Sequence, residues 1–300
     1  MFKDFEIKKF PVPNQGFGSA TINARIGGAG PPILLIHGNP LTHFSWHKVA
    51  PLLKDKFKLI CVDLRGYGDS LGPEDGGAES INYSFRAMAA DLIVVMQELG
   101  YDSFFVAGHD RGARTAHRMA LDHEESVKKL ALIDILPSHY IWNHTSAKWA
   151  NSSWHWLFMA QPYDMPEQMM ANVPADYFIE KKLSKPGKGL MPFAPEALSE
   201  YVRCFNWKTI RASCEDYRAC ASSDLKMDTA DFENELHIKC PTLTIWGKES
   251  HTGEVYGDLI PIWRNYIDGK LTGGGINCGH YVIEEKPQET AEYLTKHFIG

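Results

Sequence analysis

Five short, nearly continuous apolar runs punctuate the chain: PPILLIHG at 31–38, FKLICVDL at 57–64, SFFVAGHD at 103–110, VKKLALIDIL at 127–136 and CPTLTIWGK at 240–248. Each is rich in branched or aromatic residues, and none shows a polar face. That is how strands covered on both sides of a parallel sheet read. Between them lie amphipathic stretches at 84–100 and 111–123, the first closed by Gly100 as a helix stop. The alternation predicts an α/β domain, a mostly parallel sheet flanked by crossover helices.

The rhythm breaks after Pro137. From about 138 to 225 the chain is rich in Trp, Met and Tyr, with helical stretches and no strong strand, and the strand signal returns at 240. An inserted helical cap over the C-terminal ends of the strands is the expected arrangement, since ligands of open α/β sheets bind there. The predicted organisation is a first core segment at 1–137, the cap at 138–225 and a second core segment at 226–300. A length of 300 residues with 44% hydrophobic and 23% charged residues suits one such domain. The net charge of −6 argues against nucleic acid as a partner, so an anionic ligand has to be met by local cations. The six cysteines form no CxxC pair and no zinc-ligand spacing, the N-terminal residues lack a signal-like apolar segment, and no apolar run would span a bilayer. A reduced, cytoplasmic protein is expected, with no metal.

Residues 108–114 read GHDRGAR. The frame Gly-x-nucleophile-x-Gly is a sharp strand-to-helix turn that elsewhere exposes a serine. Here Asp110 stands in that place. Serine attack on a saturated carbon would leave an ether, which no active-site base readily hydrolyses. A carboxylate forms an alkyl ester instead, and water cleaves it at the aspartate's own carbonyl carbon. Such chemistry points to alkyl halides or epoxides. Arg111 and Arg114 follow at helical spacing on one face. A pair of guanidinium groups at the pocket floor grips a small carboxylate and offsets its repulsion from Asp110. A short 2-halo acid is the substrate this implies.

These landmarks resemble the α/β-hydrolase fold over nearly the whole chain: HGNP at 37–40, DLRGYGDS at 63–70, the elbow at Asp110, and a late histidine, His280, in CGH. Within that superfamily, GHDRGAR, LIDILP at 132–137, the pair His155-Trp156 and CEDYRA at 214–219 resemble the haloacetate (fluoroacetate) dehalogenases. The resemblance implies that Asp110 is the nucleophile and His280 the base that activates water. It implies Asp134 as the acid that orients His280, although Glu249 occupies the position many other α/β hydrolases use; Asp134 is preferred. The backbone N–H groups of Arg111 and Asn39 would receive the oxyanion. His155, the Trp156 indole and the Tyr217 hydroxyl would bind the departing halide, with the Asn39 amide as a further donor. His37, His109, Trp46 and Trp263 are read as structural. The family usually carries HGFP; the Asn39 found here is typical of haloalkane dehalogenases, and the departure bears on halide preference, not on reaction class. The resemblance further implies a homodimer and no organic cofactor.

Two other readings share this scaffold. An epoxide hydrolase uses the same aspartate and histidine and adds two cap tyrosines, for which Tyr140, Tyr163, Tyr177, Tyr201 and Tyr217 are candidates. The arginine pair discriminates, since an uncharged epoxide needs no carboxylate clamp. A non-catalytic ligand receptor is the third reading, and the presence of both Asp110 and His280 weighs against it.

Overall fold

The computed structural model describes residues 2–184 and 189–300. Eight strands, β1 (Glu6–Val12), β2 (Ala20–Gly28), β3 (Pro32–Ile36), β4 (Lys58–Val62), β5 (Phe104–His109), β6 (Val127–Ile133), β7 (Thr242–Gly247) and β8 (Leu271–Ile276), form one sheet in the order β1-β2-β4-β3-β5-β6-β7-β8. β1 and β2 are antiparallel to each other, and β2 is antiparallel to β4. From β4 to β8 every pairing is parallel. The five expected runs are β3 to β7.

The helices follow in chain order: α1 (Ala50–Leu53), α2 (Phe85–Glu98), α3 (Arg111–Asp122), α4 (Ser138–Asn143), α5 (Ala147–Ser152), α6 (Trp154–Met159), α7 (Met165–Ala171), α8 (Ala175–Leu183), α9 (Pro195–Cys204), α10 (Trp207–Ala221), α11 (Ser223–Glu233), α12 (His251–Tyr256), α13 (Ile260–Trp263), α14 (Val282–Glu285) and α15 (Pro287–Ile299). The two-sided burial of the strands is visible in β3. Leu34 and Ile36 pack with Leu92 and Met96 of α2 and Ala116 of α3. Ile33 and Leu35 face the other way, onto Leu53 of α1 and Leu294 and Phe298 of α15. α2 begins where its sequence says it should: the Ser84 hydroxyl accepts the Ala87 N–H at 3.2 Å, a cap that contributes about 1 kcal/mol. It ends at Glu98, and Gly100, just past the Leu99 cap, takes φ +81°.

The helical segment α4–α11 lies between β6 and β7, and it runs on past 225 to Glu233. Residues 185–188 of the expected cap lie outside the described residues. Among the six cysteines, Cys240 is half-buried and the other five are buried. Trp46 and Trp263 are both fully enclosed, as expected of core residues. Among the described residues, no helix is long and apolar enough to cross a membrane.

Candidate active site

Asp110 closes β5 and opens α3 with φ +51° and ψ −119°. For a residue with a side chain this conformation costs about 1–3 kcal/mol, and it persists only where the surroundings over-determine it. The surroundings do so by backbone contact. A Cβ on Gly112 would lie 2.4 Å from the His37 carbonyl oxygen, and one on Gly108 would lie 2.3 Å from the Gly112 oxygen. The strand and helix therefore approach as closely as backbones can, and the turn lifts the Asp110 carboxylate into the cleft. The Asn39 N–H donates to its Oδ2 at 3.2 Å.

His280 comes from the loop after β8. Its Nε2 lies 3.5 Å from Asp110 Oδ1, and its Nδ1 donates to Asp134 Oδ2 at 2.5 Å. The other Asp134 oxygen accepts from the Gly247 N–H and the Ser250 hydroxyl, both at 2.8 Å. Of the two candidate acids, Asp134 is thus the one that meets His280; Glu249 is exposed at the wall of the cleft. Burial pulls the His280 pKa down, but the hydrogen bonds and charges of Asp110 and Asp134 outweigh it and raise it to about 9. Burial would raise the Asp110 pKa; the hydrogen bond and charge of His280 hold it well below the usual carboxylate range. His109 Nε2 donates to the His280 carbonyl at 2.8 Å, and His37 accepts the Leu64 N–H at Nε2, 3.1 Å, while its Nδ1 donates to the Gly38 carbonyl. Both therefore serve the loops, as expected. His251 joins Asp134 and His280 in a group whose ligand atoms lie within 4.8 Å of one another. A cation there would compete for the atoms that the Asp134–His280 hydrogen bond uses.

The two arginines both lie within electrostatic reach of Asp110, but they are not equivalent. Arg111 forks onto Asp216: Nε donates to Oδ2 at 3.0 Å and Nη2 to Oδ1 and, at 2.9 Å, to the main-chain oxygen. Its guanidinium also stacks on Tyr217, 4.1 Å from the ring centre. Burial would lower its pKa, and the Asp216 charge outweighs it, so the Arg111 cation is firmly fixed. Arg114 donates from Nη1 to Ser138 Oγ at 3.0 Å and lies 4.6 Å from the Trp156 ring centre. Burial lowers its pKa, with Arg111 adding to the fall and Cys220, Asp110 and Asp228 opposing it. Arg111 Nη1 and Arg114 Nε are buried without a hydrogen-bond acceptor among the described residues.

The halide candidates gather on the cap side. The Tyr217 ring centre is 5.6 Å from His155 and 6.0 Å from Trp156. Burial, with Lys182 and His251 nearby, holds His155 well below its ordinary pKa, so it is a neutral donor. The Asn39 side chain differs from expectation. Its amide nitrogen donates to Ser213 Oγ at 3.3 Å and Tyr67 Oη at 3.5 Å, so both of its donors are engaged within the protein. The cleft between cap and core, about 780 Å³ and open to solvent, is walled by Asp110 and His280 below and by Trp154, His155, Tyr177 and Lys182 above.

Sequence reasoning missed Asp216 and Lys182. Asp216 sits inside CEDYRA, next to Tyr217, and the need of a buried arginine for a counter-ion was the available signal. It also accepts the Tyr67 hydroxyl at 2.6 Å, tying the cap to the core. Lys182 gave no signal, because a lysine in a cap helix reads as a solvated face.

A family model described as the alpha/beta hydrolase fold matches residues 31–287. Over 297 residues the chain is 36% identical to a fluoroacetate dehalogenase of Burkholderia sp, an alignment that covers 98% of this chain and 94% of that protein. It is 29% identical to a soluble epoxide hydrolase of Corynebacterium sp. (strain C12), covering 90% and 91%. A crystal structure from Nostoc sp PCC 7120, of a protein assigned to the alpha/beta hydrolases, superposes with a TM-score of 0.93 at 44% identity, covering 99% of each chain.

Proposed function

The chain belongs to the haloacetate dehalogenase family of the α/β hydrolases, and from that premise we propose that it hydrolyses short 2-halo carboxylic acids, taking a haloacetate and water to glycolate and halide. The observation that carries the reading is the arginine pair. Arg111 and Arg114 are buried within electrostatic reach of Asp110, and each has a donor nitrogen without an acceptor among the described residues. A substrate carboxylate gripped there presents its α-carbon to Asp110.

The reaction runs in two steps. Asp110 Oδ attacks the α-carbon in line, the carbon–halogen bond breaks, and the halide leaves with the bonding pair toward His155, Trp156 and Tyr217. Water, deprotonated by His280, then attacks the Asp110 carbonyl carbon of the ester. The N–H groups of Asn39 and Arg111 receive the oxyanion, and its collapse releases glycolate and restores the carboxylate. Asp134 holds the imidazole in orientation and balances its charge. No metal or organic cofactor is required by this sequence of steps. We read the protein as homodimeric, in line with the family resemblance, and as cytoplasmic, from cysteines that form no CxxC pair and no zinc-ligand spacing.

A second reading, epoxide hydrolysis, has specific support. One relative is a soluble epoxide hydrolase, and of the candidate tyrosines, Tyr177 lines the cleft and Tyr217 packs on Arg111 beside Asp110. Tyr201 donates to Glu284 instead, and Tyr140 stacks on His144. The two buried arginines favour the acid substrate. Halide release from fluoro-, chloro- and bromoacetate, run beside diol formation from styrene oxide, decides between them. Turnover of haloacetates alone supports the first reading; turnover of the epoxide alone replaces it with the second.

A further inference from the structure

Lysines ordinarily bury the stem and leave the ammonium in water. Lys181 behaves so: it is exposed, with its ammonium 5.6 Å from the Tyr177 ring centre. Lys182, the next residue of α8, does the reverse. Its ammonium is closed off from solvent and has no hydrogen-bond acceptor among the described residues. An enclosed cation without a partner is costly, and a fold keeps one where a ligand supplies the partner. Lys182 lines the cleft that Asp110, His155 and His280 also line, and its ammonium lies 5.9 Å from the Tyr217 ring centre.

We propose that the Lys182 ammonium is a fourth donor, and the charged one, at the place where the halide departs, beside His155, Trp156 and Tyr217. The inference rests on the dehalogenase reading of this site and adds to it the cation that a poor leaving group needs. As the Asp110 oxygen bonds to the α-carbon and the halogen leaves with its electron pair, the ammonium donates a hydrogen bond to the nascent halide and keeps its proton. The other three groups are neutral donors, so Lys182 alone offers full charge to an anion that appears only in the transition state. It faces Asp110 at the elbow, Arg111 of α3, His155 of α6, and Cys214 and Tyr217 of α10. Burial lowers its pKa to about 8, with the Asp110 charge opposing and Arg111 adding to the fall. The site's affinity for halide should therefore decline as pH rises through that value.

The test reads halide binding and halide departure separately. Saturable quenching of tryptophan fluorescence by bromide at neutral pH is compared in the wild type, Lys182→Met and Lys182→Arg. Methionine keeps length and removes charge. Replacing an unpartnered buried ammonium with an apolar group does not threaten the fold, and the arginine variant keeps a cation should methionine fail to fold. The expected result is bromide affinity weakened about tenfold or more in Lys182→Met and largely retained in Lys182→Arg. Single-turnover fluoride release from fluoroacetate should fall more than bromide release from bromoacetate. Bromide affinity equal in wild type and Lys182→Met, or no saturable bromide binding in the wild type, overturns the proposal. A wild type that binds bromide through Lys182 yet releases no halide from any haloacetate overturns the dehalogenase reading and leaves the anion site standing.

Discussion

At the scale of single residues, His280 starts with the wrong charge for the role proposed for it. Held near pKa 9 between two carboxylates, it is an imidazolium in the free enzyme at neutral pH. A general base must be unprotonated. Alkylation of Asp110 removes one of the two anions that raise the pKa, so forming the ester lowers the pKa of the group that must then accept a proton from water. In the proposed mechanism the first step makes the base available. Asp110→Asn imitates the neutral ester side, and an NMR titration of the His280 imidazole should give a pKa well below about 9, moved toward the ordinary 6.5. An unchanged value would mean that Asp134 alone holds the proton, and His280 could not serve as described. The linkage to stability has a fixed sign. The folded state binds this proton more tightly than the unfolded chain, so the contribution is complete below 6.5 and lost as pH rises through about 9. The arginines give a second prediction. Arg111→Lys and Arg114→Lys keep charge but lose the planar fork, and kcat/KM on haloacetate should fall roughly a hundredfold in each. Near-normal kinetics in both would remove the clamp. At this scale the elbow at Asp110 and the arginine pair were legible in GHDRGAR, and the His280–Asp134 pairing followed from resemblance. The Asp216 counter-ion was not legible, because a buried charge pair joins residues far apart in sequence and leaves no periodic trace.

At the scale of elements, the elbow is a contact between backbones. Its two glycines are required by distance, so Gly112→Ala should destabilise the protein by roughly 3 kcal/mol in urea unfolding, since the carbonyls of Ile36 and His37 cannot move aside singly. A change under about 0.5 kcal/mol would show that the strand–helix approach is looser than described. Helix α6 carries His155 and Trp156, and Trp156 also packs on Trp149 at 5.6 Å and Trp142 at 5.9 Å. If its indole stabilises departing halide, Trp156→Phe should slow fluoroacetate about tenfold more than bromoacetate in single-turnover measurements. Equal falls would assign Trp156 to packing. The elements themselves were legible unevenly. β3 to β7 are covered on both faces, so each wrote a continuous apolar run. β1 and β2 form an antiparallel hairpin at one edge, and β8 closes the other as LTGGGI. β1 is mostly exposed, β2 alternates Thr21, Asn23 and Arg25 with its apolar residues, and the three successive glycines of β8 read as loop, so those three strands left no continuous apolar run.

At the scale of the whole molecule, the cap and core meet over one cleft, and the charges are arranged across it. The chain is acidic overall, yet the groups around Asp110 include the buried cations Arg111 and Arg114 and, from the cap, Lys182. The proposed uptake of a small anion would rest on this local field and not on net charge. The break in strand rhythm after Pro137 revealed an insertion, and the Trp-rich composition revealed its helices. Which cap side chains point into the cleft depends on helix rotation and docking, which no local pattern specifies. The cleft is much larger than a haloacetate, so its size does not select the substrate; the claim rests on a covalent Asp110 ester. That claim is tested most directly in His280→Asn, which can take the first step and not the second. Mixed with a haloacetate, the variant should release one equivalent of halide and stop, its intact mass should rise by one carboxymethyl group, and peptide mapping should place that group on Asp110. A variant that releases no halide, or releases it without gaining mass, would contradict the account and leave direct attack by water, with Asp110 as its general base.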